Sequence, residues 1–91
     1  MGKESDLETK LRERTEAIGG WCVKLLSNYF TGLPDRLLLL PGGRVIFVEV
    51  KAPGKKPRRI QRIIHKRLRK LGFQVEVLDS LEKLNDIFIF L

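Results

Sequence analysis

A chain of 91 residues has room for one domain, expected to span residues 1–91, and its core is small. With 43% hydrophobic and 32% charged residues it should fold, and 18 Lys and Arg against 11 Asp and Glu give a net charge of +7, which favours phosphate-bearing partners. A single cysteine, Cys22, and a single histidine, His65, exclude disulfides, Cys-based zinc sites and most zinc-hydrolase ligand sets. No segment is long enough to span a bilayer, and MGKESDLETK lacks a signal-peptide apolar core, so a cytoplasmic setting without membrane attachment is expected. An anionic membrane surface is the other partner that such charge could serve.

Ser5 to Ile18 reads as a helix with Leu7, Leu11 and Ile18 near one face. Ser5 and Glu8 have capping-box spacing, and Gly19-Gly20 ends the helix. Trp21 to Leu26 is a predicted strand, with Trp21, Val23 and Leu25 on one face. Ser27 to Pro34 is a loop. Arg36 to Leu40 is a short buried strand, Pro41-Gly42-Gly43 a turn, and Val45 to Lys51 a strand that closes a hairpin. After a loop from Ala52 to Pro57, Arg58 to Leu71 forms a second helix with a stripe of Ile60, Ile63, Ile64, Leu68 and Leu71. Phe73 to Leu78 is a fourth strand, and Asp79 or Ser80 caps a third helix. The expected order is α-β-β-β-α-β-α: an α/β fold with a mixed sheet flanked by helices, an antiparallel hairpin and one crossover.

The chemistry concentrates in Pro34-Asp35 and Glu49-Val50-Lys51. Side chains alternate along a strand, so Glu49 and Lys51 share a face. Asp35 opens the antiparallel neighbour and therefore lies beside Glu49, with strands about 4.8 Å apart. Two carboxylates so placed can share a hard cation such as Mg²⁺, with the Val50 carbonyl as a third oxygen. Such an ion activates water for phosphodiester hydrolysis, and Lys51 can orient that water or stabilise the developing charge. An isolated Glu-x-Lys triplet is commonly just a solvated strand face. Its occurrence in a hairpin, at strand ends, in a basic chain, favours the catalytic reading.

These residues resemble the PD-(D/E)xK nuclease signature. The surrounding Gly32-Leu33-Pro34-Asp35-Arg36 and Pro41-Gly42-Gly43-Arg44-Val45-Ile46-Phe47-Val48-Glu49-Val50-Lys51 are similar to the VRR-NUC domain, in the branch of stand-alone phage and bacterial proteins. The likeness takes in Glu8, Gly19-Gly20, Lys24, Gln61 and Leu68-x-x-Leu71-Gly72-Phe73 and runs from about Ser5 to Ser80. It implies a restriction-endonuclease-like fold and Mg²⁺, with Mn²⁺ as substitute. It implies that Glu8 joins the metal site and that Gln61 lies near it. It further implies a homodimer related to Holliday-junction resolvases, acting on branched DNA in a bacterial or phage-infected cell, with no small-molecule cofactor.

Glu8 could instead only complete a helix cap, and Gln61 could be a rim residue. His65, one turn beyond Gln61, is expected to contact DNA rather than act in catalysis. Between Lys51 and Lys70, ten of twenty residues are Lys or Arg and none is acidic. Lys55, Lys56, Arg58, Arg59 and Arg62 follow the catalytic strand and are placed to grip phosphates. Lys24 could approach a phosphate or be a plain exposed lysine. Tyr29 and Phe30 could stack on an unpaired base, although packing suits Phe30 better. The apolar end Ile87-Phe88-Ile89-Phe90-Leu91 is expected to help form a symmetric dimer or to dock on the core. Two other readings compete: a non-catalytic DNA-binding module of the same fold, and an assembly subunit. The intact Asp35, Glu49, Lys51 set opposes the first and the net charge the second.

Overall fold

The computed structural model describes residues 3–26, 30–89 and 91. Tyr29, most of the Ser27–Pro34 loop's first half and Phe90 lie outside them. The elements are α1 (Lys3–Ala17), β1 (Trp21–Lys24), β2 (Arg36–Leu40), a single 3₁₀ turn (Pro41–Gly43), β3 (Arg44–Val50), α2 (Arg59–Lys70), β4 (Gln74–Leu78) and α3 (Leu81–Phe88). The order and the fold class are those the sequence predicts. The sheet runs β1-β2-β3-β4, antiparallel at the first two junctions and parallel at the third, with α2 as the crossover.

Alternation sorts the strand side chains onto two faces. One face carries Leu38, Leu40, Ile46, Val48, Val50 and Leu78, buried under Leu7 and Leu11 of α1 and Leu84, Ile87 and Phe88 of α3. Thr15 sits at the end of the α1 stripe and donates its hydroxyl to the Leu11 carbonyl at 2.7 Å, which satisfies a buried polar group locally. Ser80 caps α3, its Oγ accepting from the Lys83 N–H at 3.1 Å. Gly20 follows α1 where a Cβ would meet the Leu39 carbonyl at 2.8 Å, so the chain turns into β1 tightly against β2.

Four expectations are corrected. First, α1 begins at Lys3, so Ser5 lies inside the helix and cannot be its N-cap. The Glu8 carboxylate is drawn to another partner, described below. Second, α2 docks by only part of its predicted stripe, with Ile64 buried and Leu68 half-buried. Its buried residues are Gln61, Ile64 and His65, while Ile60, Ile63 and Leu71 are exposed. Third, His65 is 2% exposed and cannot contact DNA. Fourth, the apolar C-terminus is largely consumed by the chain's own core. Ile87 and Phe88 are buried, Leu91 packs against the core cluster, Ile89 is exposed, and Phe90 lies outside the described residues. Arg14 fastens this end through a hydrogen bond to Asn85 (2.8 Å) and a guanidinium stacked 5.0 Å from the Phe88 ring centroid.

The second sheet face is only partly covered. The α2 helix shields Val75 and Glu49. Beyond it, Trp21, Leu39 and Val45 form one row across the strands, and Val23, Leu37 and Phe47 the next. Trp21 is 72% exposed, its cross-strand partner Leu39 is exposed as well, and so are Ile63 on α2 and Phe73 just before β4. Phe47 and Phe73 meet edge to face at 5.5 Å.

Gly32 joins this second layer to the loop that delivers Asp35. Its φ is +95°, and a Cβ there would lie 2.9 Å from both the Ile60 carbonyl and an Ile64 side-chain carbon. Gly32→Ala combines a left-handed backbone with a backbone collision, and is expected to cost about 1–3 kcal/mol. Urea denaturation checks this. An unchanged midpoint would mean that the loop can lift off α2 freely.

Candidate active site

The register places Arg36 opposite Val48, so Asp35, one residue earlier, stands opposite Glu49. Pro34, fully buried, anchors the approach. Asp35 is locked from both sides. Its Oδ1 accepts the Val50 N–H at 3.0 Å, and its carbonyl accepts the Leu25 N–H at 2.9 Å. Lys51 lies just past β3, where its N–H donates to the Leu78 carbonyl at 2.8 Å, and its Nζ reaches within 3.6 Å of Glu49 Oε2. The predicted trio of Asp35, Glu49 and Lys51 is therefore assembled where two strands end.

From α1, Glu8 comes close to Asp35 through a residue that the sequence did not single out. Arg36 is buried, and its guanidinium pairs with Glu8 Oε1 at 3.0 Å and lies 3.7 Å from Asp35 Oδ2. The same guanidinium donates to the Asp35 carbonyl at 3.0 Å. It thus clamps the helix carboxylate beside the strand carboxylate. Carboxylate oxygens of Glu4, Glu8 and Asp35 fall within 4.8 Å of one another. Sequence reasoning missed Glu4 and Arg36. Glu4 and Glu8 stand at i,i+4, which puts like charges on one helix face and is unfavourable unless something positive lies between them. Arg36 is the one charge at the head of the otherwise apolar run RLLLL.

Burial sets the electrostatics. Glu49 is pushed up from 4.5 to about 7, first by loss of solvent and then by the charge of Asp35, with Lys51 pulling the other way. Asp35 is also raised, chiefly by burial, while the Val50 N–H and Arg36 oppose the rise. His65 is lowered by burial and by the charges of Arg69 and Lys51. Such opposition between crowded carboxylates is what a divalent cation relieves, and an all-oxygen donor set suits a hard ion.

The remaining predicted residues divide. Gln61 is buried one turn from His65, and its Oε1 accepts the Arg58 N–H at 2.8 Å, so it caps α2. Lys55, Lys56, Arg58, Arg59 and Arg62 are exposed on the loop and first turn after β3. Arg62 also donates to the Pro57 carbonyl at 2.7 Å. Lys24 is exposed and, with Arg12, Glu8 and Arg36, lines a cleft of about 260 Å³ beside the carboxylates. Phe30 is exposed rather than packed.

A mixed sheet whose central strand ends at Glu49 and Lys51, with Asp35 beside them at the start of β2 and exposed cations bordering them, is an arrangement suited to phosphodiester chemistry. Comparison with known proteins agrees with that chemistry. The VRR-NUC domain family profile matches residues 2–82. A solved structure described as a VRR_NUC domain superposes with a TM-score of 0.92 at 36% identity, covering 99% of this chain and 98% of that one. A protein of Acyrthosiphon pisum secondary endosymbiont phage 1, carried under the provisional name nuclease p44, is 49% identical over 78 residues, which is 86% of this chain and 84% of that protein. The chain belongs to the VRR-NUC nuclease domain family. None of the described helices is long and apolar enough to cross a membrane.

Proposed function

We propose that this chain is a metal-dependent DNA endonuclease that hydrolyses phosphodiester bonds as a homodimer and selects branched DNA by structure. The observation that carries the reading is the pairing of Asp35 with Glu49 at adjacent strand ends, with Lys51 3.6 Å from Glu49. Asp35, Glu49, Glu8 and the Val50 carbonyl are the residues that would hold Mg²⁺, with Mn²⁺ as substitute. A bound ion supplies Lewis acidity at the scissile phosphate and an acidified water. Lys51 adds positive charge where the phosphate becomes more negative. Arg36 keeps Glu8 turned towards Asp35. The exposed Lys55, Lys56, Arg58, Arg59 and Arg62, with Lys24 across the site, hold flanking phosphates without reading sequence.

Supercoiled plasmid incubated with and without Mg²⁺ tests the activity, and a panel of duplex, flap, single-stranded and four-way substrates tests the selection. Nicking only with metal, and fastest on the four-way substrate, is expected. Tight binding without cutting at saturating Mg²⁺ and Mn²⁺ would leave the non-catalytic module instead.

The dimer is supported by the exposed pair Trp21 and Leu39 with the half-buried Val23, Leu37, Val45 and Phe47 around them, a surface that carries no charge and cannot bind phosphate. A symmetric partner would cover both copies of this surface, and neighbouring exposed apolar side chains mark association surfaces. Leu39→Glu is expected to convert the sedimenting species from dimer to monomer, whereas removal of Ile89–Leu91 leaves the dimer intact. The reverse pattern would place the interface at the C-terminus.

A further inference from the structure

Two buried polar atoms face each other without a hydrogen bond: Glu49 Oε1 and His65 Nε2, 3.6 Å apart. No other buried side-chain nitrogen or oxygen among the described residues lacks a partner. Native interiors leave few such groups unsatisfied, and each calls for an explanation. Packing alone does not supply one here, because burying an imidazole against a carboxylate is costly unless the two are bonded.

The geometry offers the bond. His65 projects from the inner side of α2 onto Glu49, whose other oxygen faces Lys51 Nζ at 3.6 Å. A carboxylate only accepts, so Nε2 serves if it carries the imidazole proton. A neutral imidazole has one N–H, and its partners decide which nitrogen holds it. The gap exceeds an ordinary N–H···O distance by roughly 0.6 Å. The last torsion of a glutamate is broad, and a small rotation closes that distance.

We propose that His65 is a positioning residue for the nuclease site: its Nε2–H donates to Glu49 Oε1 and fixes the rotation of the carboxylate, leaving Oε2 on the Lys51 side. The proposal rests on the metal-dependent reading above. It gives the single histidine a structural link to the reacting centre in place of a contact with DNA. Partners that orient a metal-binding group in this way typically change metal affinity by about 10–100-fold when removed.

Because the chain has one histidine, ¹⁵N-histidine labelling reports this side chain alone. In metal-free protein at about pH 8.5, with Glu49 ionised, Nε2 is expected to show a directly bonded proton and Nδ1 none. That proton resonance should move upfield in Glu49→Gln, whose amide oxygen is the weaker acceptor. A bare Nε2, or a resonance indifferent to Glu49→Gln, overturns the proposal. Mn²⁺ binding followed by electron paramagnetic resonance gives the second readout. His65→Phe should bind at least about ten-fold more weakly, and His65→Gln, which restores a donor, close to wild type. Equal affinity for wild type and His65→Phe also overturns it. If His65→Phe does not fold, the labelled wild-type chain still decides. A wild-type chain that binds no Mn²⁺ sinks the metal reading, while the metal-free spectrum judges the His65–Glu49 contact independently.

Discussion

Asp35→Asn is expected to reduce DNA cutting by at least about 100-fold, since loss of a metal-binding charge removes several kcal/mol of transition-state stabilisation. DNA binding should stay within about three-fold, because phosphate contacts come from the exposed cations and not from the carboxylates. The substitution is nearly isosteric. An asparagine oxygen can still accept the Val50 N–H that Asp35 Oδ1 accepts at 3.0 Å, so the strand end should keep its shape. What disappears is the charge between Arg36 and Glu49. Lys51→Ala should also abolish cutting, but for a different reason: it touches Glu49 alone among the acids and leaves the Asp35, Glu8 and Arg36 clamp intact. Plasmid nicking and gel-shift titrations, run on the same preparations, separate the two effects. If Asp35→Asn retains a tenth or more of wild-type cutting, the reacting centre is not at Asp35.

The residues that make this site were legible because strand geometry is simple. Side chains alternate, a three-residue turn fixes the hairpin, and the pairing of Arg36 with Val48 then forces Asp35 against Glu49. Helix faces are harder. Ile60, Ile63 and Ile64 span more of α2 than one sheet can cover, so periodicity alone cannot choose among them. The choice follows from what lies beneath. Gln61 turns inward to cap the helix start, His65 turns inward over Glu49, and Ile64 lies between them against Gly32. Polar partners thus override the apolar stripe and leave Ile60 and Ile63 outside. Arg36 was invisible for a related reason: its place is set by Glu8, 28 positions away, and by a carboxylate one residue before it. The C-terminus looked unpaired only because α1 and the Arg14–Phe88 contact, which receive it, are remote in sequence.

The metal-free chain is expected to lose stability as pH rises through neutrality. Glu49 titrates at about 7 when folded against 4.5 as a free side chain. A raised carboxyl pKa means the folded state holds the proton more tightly than the unfolded one. Its contribution is therefore complete below about pH 4.5 and lost as pH climbs through 7. At about 1.4 kcal/mol per pH unit this amounts to about 3 kcal/mol for a group so buried. Asp35, also raised, acts in the same direction. His65 acts oppositely: its lowered pKa costs stability as pH falls below its ordinary 6.5. Glu49→Gln removes the titration of the carboxyl and leaves in place the burial and the Arg69 and Lys51 charges that lower His65. Urea titrations from pH 4.5 to 8.5 should show Glu49→Gln gaining on wild type across that window. Saturating Mg²⁺ should erase the gain, because an ion that binds ionised Glu49 stabilises only the folded form. A difference that is flat with pH would mean that Glu49 already has its counter-charge without metal, and the crowding of carboxylates on which the metal site rests would then be illusory.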